Sequence, residues 1–108
     1  MEIGINMQTH LQTLLAEIQN GSAQLFDVRE QNEWDAGHLA QATLVPLSQL
    51  REFEIDESLN KNIKTYIHCR SGQRVLTAAP ILEDMGFSEV IALEEGFADL
   101  SDEGFEVA

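Results

Sequence analysis

Apolar positions along the chain change period repeatedly, and the changes mark alternating helices and strands. Leu11, Leu14, Leu15 and Ile18 fall on one face of a helix that Thr9 can cap and Asn20-Gly21 can stop. Gln24 to Val28 ("QLFDV") follows as a buried strand, and "EQNEWDAG" predicts a short helix ending at Gly37. "ATLVP" is a second short strand stopped by Pro46, and Ser48 to Phe53 another short helix. Lys64 to His68 is β-branched or aromatic enough for a third strand.

From Gly72 to Met85, residues Val75, Leu76, Ala79, Leu82 and Met85 keep helical spacing until Gly86 ends it. Pro80 interrupts that pattern. It removes a backbone donor, costs about 3 kcal/mol in a regular helix, and predicts a kink. Glu89 to Leu93 ("EVIAL") is the last strand, and a short helix starts at Gly96. Strands alternating with helices predict an α/β fold, with a central mostly parallel sheet and helices on both faces. In such sheets ligands gather beyond the carboxyl ends of strands. Cys69 stands at one of those ends.

Length and charge narrow the choices. The 108 residues suit one domain, 1–108, without linker, repeat or low-complexity tract. Nineteen acids against six Lys and Arg leave a formal net charge of −13. Nucleic-acid binding needs clustered bases and is not expected, and anionic membranes would repel this surface. The acidity serves solubility or favours a basic protein partner, with Glu94, Glu95, Asp99, Asp102, Glu103 and Glu106 crowding the C-terminal part. No apolar run is long enough to span a membrane, and "MEIGINMQTH" lacks the pattern of a signal peptide. A single cysteine and three scattered histidines provide no disulfide and no metal-ligand spacing. No metal or cofactor is expected, and the reducing cytoplasm suits the thiol best.

The chemistry concentrates in "YIHCRSGQRV". A thiol is nucleophilic as thiolate, and helix N-termini or nearby cations favour that form. Gly72 permits a tight turn, so the amides from Arg70 through Val75 can curl around the sulfur ahead of a helix. Arg70 and Arg74, two of only six basic residues, add positive charge. The plainer alternative, a small buried hydrophobe, accounts for Cys69 but not for the polar, doubly basic loop after it.

Three blocks together resemble the rhodanese family of sulfurtransferases. They are "LFDVREQNEWDAGHLAQA", the loop "YIHCRSGQR", and "LEDMGFSEVIALEEGFADL". The resemblance runs from about Leu25 to Leu100 in family order. It implies a rhodanese-like fold in which the Cys69 thiolate takes the outer sulfur of a donor such as thiosulfate and passes it, as a persulfide, to an acceptor. That acceptor would be cyanide, a thiol or a partner protein. The loop Arg70, Ser71, Gly72, Gln73, Arg74 and Val75 would hold the persulfide. Its arginines would attract a small anionic donor, Arg74 ahead of Arg70. Asp27 and Arg29 would be scaffold. Trp34 reads as core, and His38 and His68 as structural rather than as general bases.

The chain departs from the family pattern at Glu95, where a glycine is usual, and at Leu100, where Trp is usual. Val75 and Pro80 are also atypical, and Glu95 places a negative charge where it would oppose small anionic donors. Two rival readings remain: a rhodanese-like binding module without turnover, and a cysteine phosphatase or arsenate reductase. Against the second, only four residues separate Cys69 from Arg74, one fewer than in the phosphatase loop.

Overall fold

A computed structural model describes residues 7–108. Residues 1–6, and with them most of the stretch read as lacking a signal peptide, lie outside the described residues. The elements alternate as α1 (Thr9–Gln19), β1 (Ala23–Asp27), α2 (Gln31–Asp35), β2 (Ala42–Leu44), α3 (Leu47–Arg51), β3 (Lys64–His68), α4 (Arg74–Asp84), β4 (Val90–Ala92) and α5 (Phe97–Asp102). The four strands form one all-parallel sheet in the order β2-β1-β3-β4. The two longest strands, β1 and β3, are its centre. They pair from Ala23 opposite Lys64 to Asp27 opposite His68.

Alternation along those strands divides the core. Phe26, Val28, Ile67 and Cys69 face one side, where Leu47 and Leu50 of α3 and Val75, Ala78 and Leu82 of α4 cover them. Leu25 and Tyr66 face the other, against Leu11 and Leu14 of α1, Leu100 of α5, Leu39 and Phe105. Helices on both faces follow from the period-two pattern of strands that bury both sides.

Element ends differ from expectation where local chemistry intervenes. Gln8, not Thr9, is the N-cap of α1, and no side chain caps it. Helix α4 begins at Arg74 because Gly72 takes φ +83° and keeps the preceding residues in a turn. Pro80 sits inside α4. The carbonyl it leaves without a helical donor is that of Leu76, whose residue is 64% exposed, so water can meet it. Trp34 is not core. It is half-buried and stacks on His38 at 3.6 Å with an interplanar angle of 3°, because α2 is too short to reach either packed face.

Candidate active site

Cys69 directly follows β3 at the carboxyl edge of the sheet, fully buried and unpaired. Burial pushes its thiol up. The backbone amides of Ser71, Val75, Gly72 and Arg74 outweigh that effect, and the thiol lies below its ordinary value. The Gly72 amide donates to Sγ at 3.2 Å. These donors are fixed by the backbone, so they already face a negative charge before one forms.

Two glycines hold the loop in shape. A Cβ on Gly72 would stand 2.7 Å from the Glu94 carbonyl oxygen, and one on Gly96 only 1.7 Å from that of Arg70. The segment after β4 therefore lies directly on the cysteine loop, and the Phe97 amide donates to the Cys69 carbonyl at 2.9 Å. Gly72 was legible as a turn. In the sequence Gly96 reads only as the start of the last helix beside the unusual Glu95, and its role needs the close approach of two backbones remote in sequence.

Asp27 and Arg29 are both buried and pair with each other. The Arg29 amide and Nε donate to Oδ1, and Nη2 donates to Oδ2 at 2.8 Å. Nη2 also donates to the Gly37 carbonyl, while the guanidinium lies 4.3 Å from the centre of the Phe97 ring. The pair thus braces Phe97, which in turn holds the Cys69 carbonyl. His68 is buried with Nε2 3.7 Å from Asp27 Oδ2 and Nδ1 3.3 Å from the Cys69 carbonyl oxygen. Burial pushes its pKa down, more than Asp27 raises it. Its hydrogen bond goes to the cysteine's backbone carbonyl rather than to the sulfur, which suits a structural group.

The two loop arginines differ. Arg70 is exposed and has no ion-pair partner among the described residues. Arg74, expected to be the foremost donor-binding residue, gives its fork to Glu33: Nη1 donates to Oε1 at 2.7 Å and Nη2 to Oε2 at 2.9 Å. The bond to Arg74 overcomes partial burial and holds the Glu33 carboxyl down at about 2, with help from the Glu30 amide. Glu33 raises the Arg74 pKa in return, and the charge of Cys69 adds to that.

Glu33 also accepts the Glu30 amide at 2.9 Å, and the Glu30 carboxylate accepts the Ser48 hydroxyl at 2.6 Å. The starts of α2, α3 and α4 are so tied together beside the site. Glu33 appeared in the sequence only as part of a motif. Its spacing three residues after Glu30 is a capping-box signal, but nothing local points to Arg74. Glu95 turns to α1, where its carboxylate lies 2.8 Å from His10 Nε2.

A buried thiol at a strand end, ringed by amides and backed by a helix, places the molecule with the rhodanese-like folds. The rhodanese-like domain family matches residues 10–103, and the chain belongs to it. Bacillus subtilis YqhL, an uncharacterized protein, is 39% identical over 75 residues, covering 69% of this chain and 58% of that protein. The thiosulfate sulfurtransferase GlpE of Coxiella burnetii is 31% identical over 73 residues, 68% of this chain and 66% of its own length. The matched part is thus about two thirds of each relative or less. A rhodanese-like domain protein from Staphylococcus aureus superposes with a TM-score of 0.68 at 30% identity, over 86% of this chain and 89% of that one.

Proposed function

We propose that the protein is a sulfurtransferase that carries a sulfane sulfur on Cys69. The observation that supports this most directly is the set of four backbone amides, of Ser71, Val75, Gly72 and Arg74, that lower the pKa of a buried thiol. The ring is built from neutral donors, so it can serve a thiolate and, one atom further out, a persulfide anion.

In the first half-reaction the Cys69 thiolate attacks the terminal sulfur of a donor. With thiosulfate, the donor's S–S bond breaks and its electron pair leaves as sulfite, while the new S–S bond forms at Sγ. In the second, an acceptor nucleophile takes the outer sulfur and the thiolate returns. Both are displacements at sulfur without net oxidation, and two half-reactions imply ping-pong kinetics. Arg70, exposed at the start of the loop, is the arginine free to meet the donor, while Gln73 stands at the N-cap position of α4. There is no second cysteine to resolve the persulfide within the chain, so the sulfur passes to a small molecule or to another protein. The acidic surface favours a partner with a basic face, and a reducing cytoplasm keeps the thiol available. No helix among the described residues is long and apolar enough to cross a membrane.

Intact-mass spectrometry after incubation with a sulfane donor tests the reading. One added sulfur on Cys69, removed by cyanide and absent from Cys69→Ser, is the expected result. No added sulfur from any sulfane donor would overturn it, and hydrolysis of a phosphate ester in its place would favour the phosphatase.

A further inference from the structure

Of the six Lys and Arg, four stand in ion pairs: Arg29 with Asp27, Lys61 with Glu57, Lys64 with Glu17 and Arg74 with Glu33. Arg51, at the end of α3, and Arg70 remain. The site's second cation is thus neutralised where it stands. A guanidinium whose fork is filled by a carboxylate offers an arriving anion no bidentate face. No other basic side chain belongs to the loop, and the chain as a whole carries a formal net charge of −13. Glu30 lies beside the same ion pair, and Glu94 rests its backbone on Gly72. A donor carrying two negative charges therefore approaches a strongly acidic protein and meets one uncompensated loop cation, Arg70.

We propose that Glu33 determines donor specificity: by occupying Arg74, it turns the site away from small dianions such as thiosulfate and toward hydropersulfides, R–S–SH, of low net charge. The inference rests on the sulfurtransferase reading above and names its donor class. The chemistry balances without an oxidant. The Cys69 thiolate attacks the terminal sulfur of R–S–SH, the S–S bond breaks, and the electron pair leaves on RS⁻. The transferred sulfur keeps its proton as the Cys69 hydropersulfide, or releases it to water.

Hydropersulfide donors also suit the loop better than an oxyanion would. The amides that bear on Sγ accommodate one sulfur atom, and the loop is one residue shorter than the loop that cradles a phosphate in the phosphatases. Thiosulfate must place three further oxygens outside that ring, where Glu33 has already taken the arginine.

The test compares kcat/KM for thiosulfate with that for the hydropersulfide of cysteamine, whose ammonium offsets a persulfide anion. It uses the whole chain at ionic strengths from about 10 to 200 mM, a range over which screening of exposed charges becomes strong. Thiosulfate turnover by the wild type should rise with salt, because repulsion is being screened, while the hydropersulfide rate stays nearly flat. Glu33→Gln keeps an acceptor for the Glu30 amide but frees Arg74. It should raise the thiosulfate-to-hydropersulfide ratio about tenfold, the scale of one charge-assisted contact. A change in thiolate population alone would move both donors together and leave that ratio unchanged.

A wild-type thiosulfate rate that falls with salt would overturn the proposal, and so would a ratio that Glu33→Gln leaves unchanged. The salt series needs no variant, so it decides the matter even if Glu33→Gln folds poorly. Sulfur loaded onto Cys69 by neither donor would instead overturn the sulfurtransferase reading, and this inference with it.

Discussion

Gly96 and Arg70 meet backbone to backbone: a Cβ on Gly96 would lie 1.7 Å from the Arg70 carbonyl oxygen. Neither partner in that contact is the end of a flexible side chain, so the smallest substitution must move one main chain or the other. The cysteine loop is therefore shaped as much by the segment after β4 as by its own residues.

Gly96→Ala should displace the loop and its amides. Overpacking of this kind costs about 1–3 kcal/mol, and misplacing reacting groups by about 1 Å costs on the order of a hundredfold in rate. Sulfur loading of Cys69 should fall by that order while circular dichroism keeps the α/β signature. Wild-type loading in the variant would show that the amide ring does not depend on this contact.

The Cys69 thiol should titrate below the value of a free cysteine, because the loop amides favour the thiolate more than burial opposes it. Its thiolate share then persists to lower pH and disappears only as pH falls through the folded value. Alkylation by iodoacetamide as a function of pH reports this, because restricted access scales the rate at every pH while the midpoint follows the ionisation of the thiol. Cys69→Ser should abolish sulfur loading and alter the urea midpoint little. A midpoint at or above the free-cysteine value would remove the amide ring from the mechanism.

Asp27→Ala should leave Arg29 as a buried cation whose remaining contacts are the Gly37 carbonyl and the Phe97 ring. Removing one partner of a buried pair typically costs about 3–5 kcal/mol. Urea denaturation should show a loss of that size, together with weaker sulfur loading, since Phe97 anchors the Cys69 carbonyl. A loss under about 1 kcal/mol would mean that water reaches Arg29.

Acid should weaken the fold in two windows. His68 has a depressed pKa, so below 6.5 the unfolded chain takes up a proton that the folded one refuses, and stability falls with pH until the folded value is passed. Glu33 is depressed from 4.5 to about 2; its contribution is complete above 4.5 and is lost as pH falls toward 2. Urea midpoints measured from pH 7 to pH 2 should show both declines, and Glu33→Gln should remove most of the lower one. An unchanged lower decline in that variant would assign it to other carboxylates.

Local pattern alone carried the order of elements, the two-faced sheet and the cysteine loop. Strand alternation, helical spacing and a glycine that must turn are properties of neighbours along the chain. Cys69, Gly72 and the flanking amides stood out because they are consecutive. Glu33's hold on Arg74, the pressing of Gly96 on Arg70, and the path from Asp27 through Arg29 and Phe97 to Cys69 were not legible. Each joins segments far apart in sequence, and ion-pair partners or backbone clearances are chosen by packing. The family resemblance pointed to Arg74, ahead of Arg70, as a ligand for anions. Only the folded arrangement, which brings the start of α2 against the start of α4, put a carboxylate in its fork.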